Sequence, residues 1–318
     1  MMQAIEILEG DNTFVVATTI LCAIVFLLLQ INTKRSDGLD KKVVSQSTSA
    51  SFSIFGLNIE VKSGNAEYLK VVSSVKATYP GAIDNASLAK KVFPALQKYG
   101  YNTNNTLLAT SLCCDEVNRE LEKEFRKLYG DNFSMGGLAG FPFCGKTSFG
   151  AMAHHIPEDG SCLIIYGPHV GIDSEGNVGK VNRRGRPGSG ACCGSATAAA
   201  GYVKSVKSGA IKKYDVPTDT DDAQQVWVSN LLLPHVDRLL SATNEAAELP
   251  LCLYKSQDGL MNNIVSSMCG EVAGMGKIAL LGGIQINTPD GVPDFFLPLR
   301  FEVKDNKGKT IENLLKSW

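Results

Sequence analysis

The chain lacks an excess of charge of either sign. Its 318 residues carry 31 Lys and Arg against 32 Asp and Glu, which gives a formal net charge of -1 at pH 7. A near-neutral chain lacks the excess of positive charge that binds the phosphates of nucleic acids, so we expect no nucleic-acid partner. The hydrophobic share of 44% is too high for a disordered chain and is sufficient for a buried core.

Histidine is scarce, with four residues, whereas cysteine is plentiful, with nine. The odd number of cysteines, and the two adjacent pairs Cys113-Cys114 and Cys192-Cys193, are unlike the disulfide framework of a small secreted protein. Adjacent thiols suit metal binding or thiolate chemistry. Free cysteines are also common as small residues of a core, and spacing alone leaves both interpretations open.

The first part of the chain is hydrophobic and is predicted to lie outside the folded domain. Residues 12–33 carry no charge, and the almost wholly apolar residues 14–29 predict one membrane-anchoring helix. Basic residues follow this segment, which predicts that the rest of the chain is cytosolic; a cleaved or organelle-targeting leader is the alternative. We divide the chain into an anchor or targeting segment (1–35), a polar linker (36–53) and a folded domain (54–318).

Strands and helices alternate in the folded domain. Short apolar runs predict buried strands, and amphipathic or alanine-rich stretches predict helices. The predicted strands are 107–112, 163–166, 278–286 and 295–303, and the predicted helices are 87–99, 115–129, 148–155 and 195–207. This order predicts an α/β fold with a central, mostly parallel sheet flanked by helices. Ligands of such sheets bind beyond the carboxyl ends of the strands.

Candidate metal ligands lie at these strand ends. Cys113 follows the first strand, His169 follows the second, and Cys193 precedes the alanine-rich helix. Three nitrogen or sulfur ligands with one open position are typical of a catalytic zinc site. Only one cysteine of each pair can face a common site, because side chains alternate along a strand. His155, at the end of a predicted helix, competes with His169, which we favour because it lies beyond a strand end.

Several motifs resemble those of a known family. They are ATSLCCDEVN, GGLAGFPF, PHVGID, GKVNRRGR and ACCGSA, and they fall within residues 78–303. These motifs resemble the limiting-CO2-inducible protein B family, which includes theta-class carbonic anhydrases and is similar to the β-carbonic anhydrases. The resemblance implies a β-carbonic-anhydrase-like fold, a homodimer and a plastid role in inorganic-carbon supply.

The resemblance also implies a metal and a reaction. Cys113, His169 and Cys193 would hold Zn²⁺ with water in the fourth position, and Asp115 would orient that water toward CO2. The implied activity is the reversible hydration of CO2 to bicarbonate by a metal-bound hydroxide. Apolar side chains such as Phe141 and Phe143 would form a dry wall, although ordinary core packing explains them equally well.

An arginine is expected to keep Asp115 ionised, because a nearby cation favours the charged carboxylate. The β-class enzymes carry that arginine two residues after the aspartate, where this chain has Val117. Arg183 is our first candidate for the role, and Arg186 and Arg119 are the alternatives.

Two other functions remain open. A non-catalytic, zinc-containing sensor or scaffold for CO2 or bicarbonate would keep the same ligands. Residues 140–147 (GFPFCGKT) also match the phosphate-binding loop pattern of nucleotide hydrolases. We place the nucleotide hydrolase last, because the stretch before residue 140 is a poor strand and Pro142 removes an amide hydrogen that a phosphate would need.

Overall fold

The computed structural model describes residues 49–54, 57–218 and 220–318, and the chain divides into two units. In the first unit, which ends at Lys62, strands β1 (Ser49–Ile54) and β2 (Leu57–Lys62) form an antiparallel hairpin. The predicted hydrophobic helix over 14–29 lies outside the described residues. Within the described ranges, none of the helices has the length and apolar character needed to cross a membrane.

The second unit, Ser63–Trp318, contains the predicted alternation of strands and helices. Its helices are α1 (Ser63–Thr78), α2 (Asn85–Gln97), α3 (Arg119–Tyr129), α4 (Gly145–Ala153), α5 (Gly194–Lys207), α6 (Ala223–Leu232), α7 (Val236–Leu240) and α8 (Glu245–Met268). Its strands are β3 (Ile83–Asp84), β4 (Thr106–Ser111), β5 (Asn132–Ser134), β6 (Ser161–Tyr166), β7 (His169–Gly171), β8 (Lys180–Asn182), β9 (Ser189–Ala191), β10 (Lys277–Asn287), β11 (Phe295–Asp305) and β12 (Thr310–Asn313).

Eight of these strands form one sheet. Its order is β12-β11-β10-β6-β4-β5, with β3 paired to β11 and β7 paired to β10. Strands β10, β6, β4 and β5 run parallel, whereas β11, β12 and β3 pair antiparallel at one side. The fold is therefore mixed α/β with a central, mostly parallel sheet and flanking helices, as predicted from the sequence.

The sheet is covered on both faces, which explains its apolar strands. All six residues of β6 are buried. Cys162 and Ile164 belong to one apolar cluster with residues of α4 and α8, whereas Leu163 and Ile165 belong to a second cluster with residues of α2 and α3. A strand buried on both faces has no polar side, and it therefore reads as a continuous apolar run rather than an alternating one.

Strand β10 is long enough to pair with two successive strands. Its first half, from Ile278 to Gly282, lies parallel to β6, and its last three residues lie parallel to β7. The connection between β6 and β7 passes so close to β10 that a Cβ atom on Gly167 would lie 1.8 Å from the carbonyl oxygen of Gly283. This close approach places His169 beside Gln285 of β10.

Candidate metal site

Three buried side chains from separate elements meet beyond the ends of β4 and β6. Cys113 follows β4, His169 is the first residue of β7, and Cys193 is the residue before α5. Their ligand atoms all lie within 4.8 Å of one another. A tetrahedral zinc ion with bonds of about 2.0 to 2.3 Å holds its ligand atoms about 3.3 to 3.8 Å apart, so small side-chain movements would bring these three onto one ion. The structure thus brings together the three residues that the sequence placed at strand and helix ends.

The other cysteine of each pair is not part of the group of potential ligands. Cys114 is exposed. Cys192 is buried, and its Sγ lies 3.4 Å from Nδ1 of His169. Each pair therefore contributes one thiol to the cluster of potential ligands, as the alternation of side chains predicts.

The imidazole of His169 has one partnered and one unpartnered nitrogen. Nδ1 lies 2.9 Å from Oδ1 of Asn287, whereas Nε2 is buried without a hydrogen-bond partner and lies 3.9 Å from Oδ2 of Asp115. A buried polar atom without a partner costs free energy. Together with two thiols, this nitrogen forms a donor set that fits Zn²⁺.

Contacts within the cluster shift the pKa of each of its three members. Hydrogen bonding with Cys193, aided by His169, outweighs burial and lowers the pKa of the Cys113 thiol to about 4. The same contact with Cys113, together with burial, raises the pKa of Cys193. Burial lowers the pKa of His169, but its contacts with Cys113, Cys192 and Cys193 outweigh burial and raise that pKa well above its usual value. Of the two thiols, Cys113 is therefore the one that ionises first.

Asp115 lies beside the cluster and is paired with Arg183. It precedes a short 3-10 turn (Glu116–Asn118). Arg183 donates from Nη1 to Oδ1 of Asp115 at 2.9 Å and from Nη2 to Oδ2 at 2.8 Å. Burial raises the pKa of Asp115, but the hydrogen bonds from Arg183 outweigh it, and the pKa is held at about 2. Arg183 is itself held by the carbonyl of Cys192 at 2.8 Å and by an ion pair with Glu116.

The other two candidate arginines have different partners. Arg119 donates to Glu122 at 2.7 Å and to the carbonyl oxygen of Cys113 at 2.6 Å. Arg186 follows in the loop after Arg183 and donates its backbone N–H to the Arg183 carbonyl at 3.0 Å. Of the three candidates, the structure places Arg183 on the carboxylate of Asp115.

His155 does not join the cluster. It is exposed just after α4, and its ring packs edge-on against Phe133 with 5.5 Å between the centroids. The group of ligand atoms within 4.8 Å of one another contains His169 and lacks His155.

Two aromatic residues of the segment 140–147 pack beside the candidate ligands. Phe141 is fully buried in the apolar cluster that contains Cys113 and Cys193, and its ring stacks on Phe143 with 5.4 Å between the centroids. A 3-10 turn (Leu138–Gly140) separates this segment from β5. A phosphate-binding loop needs a strand directly before it, and that arrangement is not formed here.

Asn287 contacts the candidate ligand His169 but was not predicted from the sequence. Asn287 is the last residue of β10 and lies directly after the run predicted as a strand over 278–286. A polar residue at the carboxyl end of an apolar strand was the available signal. Its partner was not predictable, because the pairing of β10 with β7 brings His169 and Asn287 together.

Comparison with known proteins places the chain in a family. Residues 82–305 match the family model described as limiting CO2-inducible proteins B/C beta carbonic anhydrases. The chain belongs to this family. The match confirms the resemblance inferred from the motifs of the sequence.

Solved structures of this family are similar to the chain. The crystal structure of PtLCIB4, a homolog of the limiting CO2-inducible protein LCIB, is 48% identical; the match covers 76% of this chain and 99% of PtLCIB4, with a TM-score of 0.72. The crystal structure of LCIB itself is 21% identical over 76% of this chain and 98% of LCIB, with a TM-score of 0.55, and it shares the fold. A search among curated proteins found no match.

Proposed function

We propose that this member of the LCIB family catalyses the reversible, zinc-dependent hydration of CO2 to bicarbonate. The observation that carries the proposal is the buried set Cys113, His169 and Cys193 beside the ion pair of Asp115 and Arg183. Zinc held by these three side chains would lower the pKa of a water ligand to about 7 and so supply a nucleophile at neutral pH.

Asp115 is suited to orient that nucleophile. Its carboxylate is ionised at neutral pH because Arg183 donates to both of its oxygens. Oδ1 also accepts from the backbone N–H of Val117 at 3.4 Å, whereas Oδ2 keeps a further lone pair that can accept a hydrogen bond from an O–H group. Oδ2 lies 3.9 Å from the unpartnered Nε2 of His169, close to where a ligand of the metal would bind. Accepting that hydrogen bond directs the lone pair of the nucleophile toward CO2.

The apolar wall suits the uncharged substrate. Phe141 lies in the same cluster as the two thiols and excludes water from that side of the site. Arg183 lines a polar cavity together with Asn182 and the acidic residues Glu116 and Asp294. The apolar wall therefore suits CO2, which carries no charge.

The test uses the purified full-length chain and two matched variants. We expect about one zinc per chain by elemental analysis and accelerated CO2 hydration in a stopped-flow assay with a pH indicator. Asp115→Asn should keep zinc and lose most of the activity. The isosteric amide has no charge to pair with Arg183, and it offers one hydrogen-bond acceptor oxygen instead of two. Asp131→Asn is the control: Asp131 also pairs with an arginine, Arg126, but is exposed and lies outside the cluster of candidate ligands, so this variant should stay active.

The other outcomes separate the alternatives. Zinc without any acceleration of hydration would refute the proposed reaction and favour a CO2 or bicarbonate sensor or scaffold. Binding of ATP without zinc would favour the phosphate-loop interpretation of residues 140–147.

We further propose that the protein is a homodimer, attached to a membrane or targeted to an organelle, a plastid, by its N-terminal segment. These proposals are supported by the apolar residues 14–29 and by the family to which the chain belongs. Light scattering of the purified chain tests the dimer. A fluorescent tag at the C-terminus tests the location in cells. A signal spread through the cytosol, with none on membranes or in plastids, would contradict the proposed location.

A further inference from the structure

The side chain of Asn287 joins the candidate ligand His169 to a buried carboxylate. Asn287 is 1% exposed at the end of β10, and its Oδ1 lies 2.9 Å from Nδ1 of His169. On its other side, Nδ2 lies 2.9 Å from the carbonyl oxygen of Val117 and 3.1 Å from Oδ2 of Asp294. The amide therefore bridges the two groups.

The partners of this amide determine its orientation. A backbone carbonyl can only accept a hydrogen bond, and the carboxylate of Asp294 also acts as an acceptor, because it takes hydrogen bonds from Thr288 N at 2.8 Å and from Gln285 Nε2 at 3.2 Å. Two acceptors on one side of the Asn287 amide identify that side as its NH2 group. The oxygen of the amide must then face His169.

This orientation determines the tautomer of His169. An amide oxygen can only accept, so Nδ1 of His169 must carry the hydrogen of the contact. Nε2 is then the nitrogen left to a metal ion, which would take the place of a proton there. Without Asn287, the neighbour left to Nδ1 would be Cys192, whose Sγ lies 3.4 Å away, and a thiol is a weak partner.

We propose that Asn287 and Asp294 are positioning residues for a metal ion at Cys113, His169 and Cys193. Asp294 fixes the amide of Asn287, and Asn287 fixes the ring orientation and the Nδ1–H tautomer of His169. Groups that bind the second nitrogen of a ligating histidine commonly raise metal affinity about 10- to 100-fold. The inference rests on the zinc site of the proposed function and is independent of the reaction.

The experiment measures zinc affinity of the full-length chain in competition with a chromophoric chelator. Asn287→Leu has nearly the same volume and accepts no hydrogen bond, so it should weaken zinc binding by about 10- to 100-fold. Asn85→Leu is the matched control. Asn85 is also a buried asparagine, and its side-chain amide has no hydrogen-bond partner; the substitution keeps the backbone N–H that donates to the carbonyl oxygen of Asp294 at 2.9 Å, so zinc affinity should be unchanged.

A second variant keeps the test valid if Asn287→Leu folds poorly. The double variant Asn287→Asp with Asp294→Asn reverses the donor and the acceptor of their contact while keeping an acceptor oxygen toward Nδ1. It should bind zinc more tightly than Asn287→Leu, although its second carboxylate oxygen faces the carbonyl oxygen of Val117, and Asp294→Asn alone should lose part of the wild-type affinity. In nitrogen-15 NMR of the zinc-loaded chain, the ring of His169 should show a protonated Nδ1 in the wild type and in the double variant.

Each contrary result has a distinct meaning. Wild-type affinity in Asn287→Leu, or an equal loss in Asn85→Leu, would overturn the positioning role. A wild-type chain that binds zinc but does not hydrate CO2 would refute the proposed reaction and leave the positioning role standing. A wild-type chain without zinc affinity would overturn both.

Discussion

Substitution of Gly167 by alanine tests whether the turn between β6 and β7 places His169. A Cβ atom at this position would lie 1.8 Å from the carbonyl oxygen of Gly283, far below the 3.0 Å that real Cβ contacts respect. The obstacle is backbone, not a flexible side chain, and it belongs to β10, which pairs with both β6 and β11. Because 1.8 Å is more than 1 Å short of the 3.0 Å limit, one of the two backbones must move by about that difference.

The cost of this clash is predicted to be large for a single methyl group. Inserting extra atoms into a packed core costs about 1 to 3 kcal/mol, and we expect the upper end, because paired strands hold the carbonyl in place. The displaced turn lies two residues before His169, so zinc affinity should fall as well. Gly201 is the control: it is an exposed interior residue of α5 with no atom within 4 Å of its Cβ position. Gly201→Ala should stabilise the fold by about 0.5 to 1 kcal/mol.

The assay is urea unfolding of both variants and the wild type, followed by circular dichroism in the presence of a chelator. Zinc titration of the same samples reports the site separately. If Gly167→Ala unfolds within about 0.5 kcal/mol of the wild type and binds zinc equally well, then the close approach of the turn to β10 does not position the histidine.

Three further predictions concern the site itself. His169→Ala should lose zinc by elemental analysis while His155→Ala keeps it, and the reverse result would reassign the ligand. Arg183→Ala should keep zinc and lower kcat/KM for CO2 hydration by about 10- to 100-fold, as expected for lost hydrogen bonds to a charged group; Arg186→Ala is the control and should remain active. Zinc at 100 times its Kd should add about 2.7 kcal/mol to the free energy of unfolding, and an unfolding curve that a chelator does not shift would argue against a metal bound by the folded state.

The apolar strands could be predicted from the sequence because they are buried on both faces. The runs predicted over 107–112 and 163–166 correspond to β4 and β6, and the later pair corresponds to β10 and β11. The polar strand β12 was not predicted, since it lies at the edge of the sheet and its side chains are largely exposed. The long helix α8 was also missed, because it contains Pro250 and Gly259 and has no strongly one-sided apolar pattern.

The candidate site was predictable only in part. Cys113, His169 and Cys193 follow strands or precede a helix, and that position is visible in a linear sequence. Arg183 lies in the loop between β8 and β9, and nothing local distinguishes it from Arg186; the fold alone brings it to Asp115. The contact of Asn287 with His169 depends on strand register, which local sequence does not encode.

The double pairing of β10 has a consequence for how the protein acquires a metal. One continuous strand forms the centre of the sheet with β6 and then holds β7, so the ligands meet only after distant parts of the chain have assembled. In a zinc finger the metal drives folding. Here we expect a folded chain that already presents its ligands and is loaded afterwards. Metal occupancy in the cell would then follow zinc supply throughout the lifetime of the protein, and not only the moment of its synthesis.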